Sequence, residues 1–198
     1  MGIATDSKGY VYVADNRNNR IQKFDSTGTF VWARGEMGKR NGEFFGPMGI
    51  AVGPGDIVYV TDWRNHRVQK FASSRAYLGK WGTKGSKENE LFYPMGIATD
   101  RVGNVYVVDM RNNRVQKFSV DGAFLQSIGR YGSGDGEFKG GLHGVALNYR
   151  GRCGEPQVLV TANNRVQRFG STFAIGPKDR AEARLAYLRG DRSNEGKG

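Results

Sequence analysis

The chain has 198 residues and a formal net charge of +11, with 38% hydrophobic and 12% aromatic residues. That is too apolar for a disordered chain, and its apolar runs are too short for a membrane-spanning helix. A single cysteine, Cys153, excludes an internal disulfide framework and a cysteine-based zinc site. The first six residues lack the basic and apolar stretches of a signal peptide; with the lone cysteine, this favours a cytoplasmic compartment.

Residues 1–24 read MGIATDSKGYVYVADNRNNRIQKF, and residues 95–118 repeat them with 18 of 24 positions identical. Residues 48–71 are a third copy and residues 143–169 a degraded fourth, with a lengthened turn at 148–157. Gly2, Gly49, Gly96 and Gly144 mark steps of 47, 47 and 48 residues. Each unit predicts four short strands. In the first they are the small Gly-Ile-Ala-Thr segment, the β-branched and aromatic run 10–13, the alternating run 20–24, and residues 30–33 after a turn at 25–28. Four strands in about 40–50 residues, repeated, predict the blades of a β-propeller; a turn-rich solenoid or β-helix is the alternative. Residues 172–175 read as a shortened outer strand. Pro177 then starts a predicted short helix over 178–189, with Ala181, Leu185 and Leu188 on one stripe, and 190–198 read as a disordered tail. The expected division is therefore blades over 1–176 and a C-terminal helix and tail over 177–198.

These residues resemble the NHL repeat family. The resemblance rests on Pro47-Met48-Gly49-Ile50-Ala51, Val58-Tyr59-Val60-Thr61-Asp62, Asn65-His66-Arg67-Val68-Gln69-Lys70-Phe71, and the connecting loop Gly35-Glu36-Met37-Gly38 with Gly42-Glu43-Phe44. It covers about residues 1–170. It implies a propeller, usually six-bladed, used as a platform for protein or RNA partners. The fourth unit departs from the pattern: it lacks the Asp found at 15, 62 and 109 and has Leu142-His143-Gly144 for Pro-Met-Gly. Four blades fit this length. The chain then reads as a piece of a larger ring, a closed four-bladed ring, or a ring completed by self-association through open propeller edges.

No catalytic residue, metal ligand or cofactor motif stands out. His66 and His143 lie in different repeats, and His66 replaces Asn19 and Asn113, which reads as a polar loop residue. Cys153 has no recurring base beside it, so it reads as an incidental thiol. The run 132–136 aligns with the other connecting loops and reads as a turn rather than a phosphate loop. The pairs Asp15 and Arg20, Asp62 and Arg67, and Asp109 and Arg114 share a spacing of five across one turn and read as structural ion pairs. Setting them aside leaves Arg17, Arg64 and Arg111 as a repeated unpaired row, with Trp63 beside Arg64. The loops expected on that rim sum to +6 and those on the opposite rim to −1. The expected binding residues are Arg17, Arg64, Arg111 and Trp63, with Lys39, Arg40 and Lys84 at the margins. The expected function is a non-enzymatic, protein-binding scaffold with no membrane contact. The alternative is single-stranded RNA binding on the basic rim, by Arg forks on phosphates and stacking on Trp63. A propeller lyase or hydrolase with a tunnel metal is a third reading.

Overall fold

In the computed structural model of the chain, the described residues are 1–149, 156–162 and 165–170. They build four antiparallel sheets in sequence order. The first blade holds β1 (Ile3–Thr5), β2 (Val11–Asp15), β3 (Arg20–Phe24) and β4 (Phe30–Arg34). The second holds β5 (Pro47–Gly53), β6 (Ile57–Asp62), β7 (Arg67–Phe71) and β8 (Tyr77–Trp81). The third holds β9 (Pro94–Thr99), β10 (Val105–Asp109), β11 (Arg114–Phe118) and β12 (Phe124–Ile128). The fourth shows three strands among the described residues: β13 (Leu142–Asn148), β14 (Gln157–Ala162) and β15 (Arg165–Phe169).

The second strand of each blade is a short run rich in Val, with Tyr, Ile or Leu, residues that fit a pleated, buried surface. Each sheet is a meander, with neighbours in sequence paired in space. The first strands of successive blades, β1, β5, β9 and β13, pack beside one another and form the inner layer. That contact explains the repeated glycine. A Cβ on Gly96 would stand 2.6 Å from the His143 carbonyl oxygen, and one on Gly49 would collide with the Met95 carbonyl. Only a hydrogen at that position lets the neighbouring backbone approach so closely. Thr61 ties the same joint: its Oγ1 accepts from the Gly49 N–H and donates to the Met95 carbonyl, both at 2.7 Å.

Three hydrophobic clusters fill the three joints between successive blades. Tyr12, Ala14 and Ile21 of the first blade meet Ile50, Val58, Val60 and Phe71 of the second, with Phe44 of the connecting loop between them. Tyr59, Val68 and Trp81 meet Ile97, Val105, Val107 and Phe118 in the next joint. Tyr106, Val108, Val115 and Ile128 meet Val158, Val160 and Ala162 in the last. Alternate residues of the middle strands of the second and third blades thus serve opposite joints, the period-two arrangement that makes one blade the core of the next.

The all-β blades match the expectation from sequence, and the β-helix alternative does not describe this topology. The structure adds single 3-10 turns, at Asn16–Asn18, Trp63–Asn65 and Met110–Asn112, between the second and third strands of the first three blades. Cys153, the strand expected at 172–175 and the helix and tail expected from Pro177 onward lie outside the described residues. No helix among the described residues is long and apolar enough to cross a membrane.

Candidate functional site

The turns between second and third strands share one local plan. Asp15 pairs with Arg20, Asp62 with Arg67 and Asp109 with Arg114 across the hairpin. The residue before each Arg adopts a left-handed backbone: Asn19 at φ 53°, His66 at 56° and Asn113 at 53°. Asn tolerates that region well, which accounts for its repetition.

The carboxylates organise these turns. Asp62 Oδ2 accepts from Arg67 Nε at 2.7 Å, Asn65 Nδ2 at 2.9 Å and Gln69 Nε2 at 3.2 Å, while Oδ1 accepts from the Phe45 N–H at 2.7 Å. Asp109 repeats the set with Arg114, Asn112, Gln116 and the Phe92 N–H. Arg67 spends its remaining donors on the carbonyls of Lys39, Arg40 and Glu43, so it clamps the connecting loop from the first blade. Arg114 holds Lys87 and Glu90 in the same way, and Arg165, which faces Ala162 where the other blades have Asp, holds Ser133, Gly134 and Glu137. Asp15 and Arg20 make the same ion pair at 2.8 Å in a more open setting. Burial pushes the Asp15 carboxyl up, but hydrogen bonds from Arg20 and Asn18 outweigh it and hold the group below its ordinary value.

Arg17, Arg64 and Arg111 stand one in each of these turns, exposed, with no ion pair among the described residues. The fold does not keep them equivalent. Arg64 and Arg111 line one cavity of about 390 Å³ on the rim that carries the connecting loops, together with Phe45, Trp63, Tyr93 and Met110. Arg17 is not part of its lining. The Arg64 guanidinium lies 4.8 Å from the Phe45 ring centre and 5.0 Å from that of Trp63. Trp63 and Tyr93 are 5.1 Å apart, and His66 contacts both Tyr93 and Phe92. Lys84 sits over the Phe92 ring at 5.3 Å, beside the cavity rather than in it. Lys39 and Arg40 are exposed on the connecting loop that Arg67 holds.

Of the expected binding residues, then, the cavity gathers Trp63, Arg64 and Arg111. Sequence reasoning missed Phe45, Tyr93 and Met110 and read His66 as an ordinary loop residue. The missed signal was departure from the repeat. Trp63 aligns with Asn16 and Met110. Tyr93 aligns with Gly46 and Gly140. His66 aligns with Asn19 and Asn113. Tyr93 keeps the left-handed backbone of its glycine counterparts, φ 56° against 72° and 71°. A side chain there costs roughly 1–2 kcal/mol. His66 supports it: Nδ1 accepts from the Tyr93 N–H at 3.1 Å, as Asn19 and Asn113 Oδ1 accept from Gly46 and Gly140. Burial, and then the nearby Lys84 charge, hold the His66 pKa below its ordinary value, consistent with a neutral acceptor nitrogen.

The NHL repeat profile matches residues 2–24 and 46–71, the first two of these units. The chain carries NHL repeats. Solved propellers share the arrangement of its blades. A catalytically inactive virginiamycin B lyase from Staphylococcus aureus with quinupristin superposes at a TM-score of 0.63 and 16% identity, over 87% of this chain and 53% of the lyase chain. The RRP9 WD40 repeats superpose at 0.59 and 14% identity, over 85% and 50%. A gluconolactonase from Xanthomonas campestris superposes at 0.56 and 13%, over 83% and 54%. The NHL-repeat chain spans about half the length of these structures, and the likeness is one of fold. No curated protein matches the sequence. Among the described residues of these blades, no three His, Cys, Asp or Glu side chains are grouped so as to hold a metal ion.

Proposed function

We propose that this NHL-repeat chain is a non-enzymatic binding scaffold that holds a protein partner at the rim cavity between its second and third blades. One observation carries the reading. Trp63, His66 and Tyr93, which break the repeat, converge at a single joint, although repetition alone would spread similar residues over all joints. Structural residues recur because every blade has the same packing problem; residues that stand once and meet one another answer a different demand. Aromatic residues, Met and Arg are enriched at protein interfaces, and Trp, Tyr and Arg dominate their energetic centres. A partner segment with an apolar anchor beside a carboxylate would match two cations around an aromatic floor.

Panning a random peptide library on phage against the purified chain tests this. Enriched peptides should carry Asp or Glu next to an aromatic or aliphatic residue. Trp63→Ala and Tyr93→Gly should each weaken them at least about tenfold, the loss of 1.4 kcal/mol or more expected of an interface anchor. Peptides that bind both variants as tightly as the parent chain would remove the cavity from the reading.

A second reading, single-stranded RNA on the same rim, is favoured by the exposed row of Arg17, Arg64 and Arg111. Filter binding of poly(U) against salt concentration separates it. RNA binding should fall steeply with salt, and Arg64→Ala should flatten the slope by about one unit. Trp63→Ala should then cost about 1–3 kcal/mol, and Arg75→Ala, on the opposite rim, much less. Equal losses from Arg64 and Arg75 substitutions, or no binding at low salt, would end that reading.

A further inference from the structure

Among the described residues, two sheet faces lack the cover that their counterparts have. On the first blade, Ile3 is 69% exposed, whereas Ile50 and Ile97 at the same position are 5% and 8% exposed. Val11, Val13 and Phe24 on that face are only partly buried, while Val58, Val60, Phe71, Val105, Val107 and Phe118 are fully buried. On the fourth blade the opposite face is open. Val166 is 64% exposed, although Ile21, Val68 and Val115 at its position are fully buried. Thr161 and Ala146 are exposed there, whereas Thr61 and Ala51 are buried.

These are the two halves of one joint. Within the chain that joint occurs three times, always with the face of the Thr61 and Val68 type on one blade and the face of the Ile50 and Val58 type on the next. The hydrogen-bonding groups of the open half are set as in the closed joint. Thr161 Oγ1 accepts from the Gly144 N–H at 2.9 Å, just as Thr61 accepts from Gly49 before donating to the Met95 carbonyl. The opposite half is equally faithful: residues 1–5 are Met-Gly-Ile-Ala-Thr, identical to residues 95–99, which receive the Thr61 bond. We infer that the fourth blade of one copy docks the first blade of a second copy, with Thr161 donating to the Met1 carbonyl and Val166 covering Ile3. The pairing is head-to-tail, so two copies can make it twice and close a ring of eight blades, within the range of about four to eight that propellers span. The occupant is a second copy because this chain itself displays the complementary surface. Burial of the exposed Ile and Val side chains drives the association, and the backbone contacts fix its register.

Sedimentation velocity over a wide concentration range, on the chain and on Ile3→Asp and Val166→Asp, tests the inference. Both positions are exposed, so neither change disturbs a packed core, and circular dichroism verifies the fold of each variant. The parent chain should reach twice its monomer mass. Each variant should lose reciprocal closure, and mixing the two should form a one-to-one heterodimer, because Ile3→Asp keeps an intact fourth blade and Val166→Asp an intact first blade. A parent chain that stays monomeric at every concentration overturns the inference. So does a dimer that one substitution abolishes and the other leaves untouched, since that pattern belongs to a like-with-like contact. Neither outcome bears on the rim cavity, which is scored by peptide binding.

Discussion

The repeated Asp and Arg residues show how one ion pair differs with its surroundings. The Asp62 side chain is fully buried and that of Arg67 is 6% exposed, whereas Asp15 and Arg20 are 16% and 39% exposed. Asp62→Ala leaves a buried guanidinium without its counter-charge and should cost roughly 3–5 kcal/mol in a urea unfolding titration. Asp15→Ala should cost no more than about 1 kcal/mol, because water solvates Arg20 in its place. Equal costs would show that burial does not set the strength of the pair. At the cavity, Tyr93→Gly should relieve the left-handed backbone while losing the ring contact with Trp63. These effects nearly offset, so stability should stay within about 1 kcal/mol of the parent while peptide binding falls. His66 gives the same joint a dependence on pH. Its imidazole meets the Tyr93 N–H and the Phe92 and Tyr93 rings, with Lys84 repelling its protonated form and Asp62 and Asp109 attracting it. The folded pKa lies below the ordinary 6.5, so the native state binds a proton less readily than the unfolded chain. The stabilisation is therefore complete above that pH and is lost as pH falls below it. Thermal melts should show the parent chain losing stability relative to His66→Asn through that window, since Asn keeps an acceptor and carries no titrating group. Parallel curves for the two proteins would refute the assignment.

At the scale of elements, the inner strands work through what they omit. Gly49 has an ordinary backbone conformation, so its requirement is spatial: the Met95 carbonyl occupies the position a Cβ would take. Gly49→Ala must push β5 and β9 apart or distort both. It should cost about 1–3 kcal/mol in the same urea titration. Gly144→Ala should cost less in the monomer, because the new methyl would meet only the Thr161 side chain. The connecting loops are held by the next blade as well as by bonds of their own, such as those from the Arg40 and Lys87 N–H groups to the Glu43 and Glu90 carboxylates. Arg67, Arg114 and Arg165 each take up loop carbonyls, and Gln69, Gln116 and Gln167 add side-chain bonds to Glu43, Glu90 and Glu137. The rim is thus rigid enough to fix the cavity side chains, as a binding surface requires.

For the whole molecule, stability resides in the joints. Among the described residues, the second and third blades are packed on both faces and the first and fourth on one. Amide hydrogen exchange of the dilute monomer should therefore be slowest in β6, β7, β10 and β11 and faster in β2, β3, β14 and β15, since a blade with one open face opens locally at lower cost. Uniform protection across the four blades would contradict this account. The net charge of +11 acts at the same scale. It favours association with polyanions at low salt and is screened as ionic strength rises.

Much of this was legible in the sequence because it is local. The strands follow from short β-branched runs between turn residues. The Asp–Arg clamps follow from a spacing of five, which a single hairpin turn converts into facing residues such as Asp62 and Arg67. The repeated glycine marked the period before its contact with the next blade was known. The cavity was not legible in the same way. Phe45, Trp63, Tyr93 and Met110 come from two connecting loops and two turns, and covalent geometry within one repeat says nothing about their distances. Those distances depend on how one blade is rotated against the next, which the packing of the faces decides. The same packing, with Trp63 and Met110 standing where the first turn has Asn16, puts Arg64 and Arg111 in one site while Arg17, at the equivalent position of its own turn, stands apart.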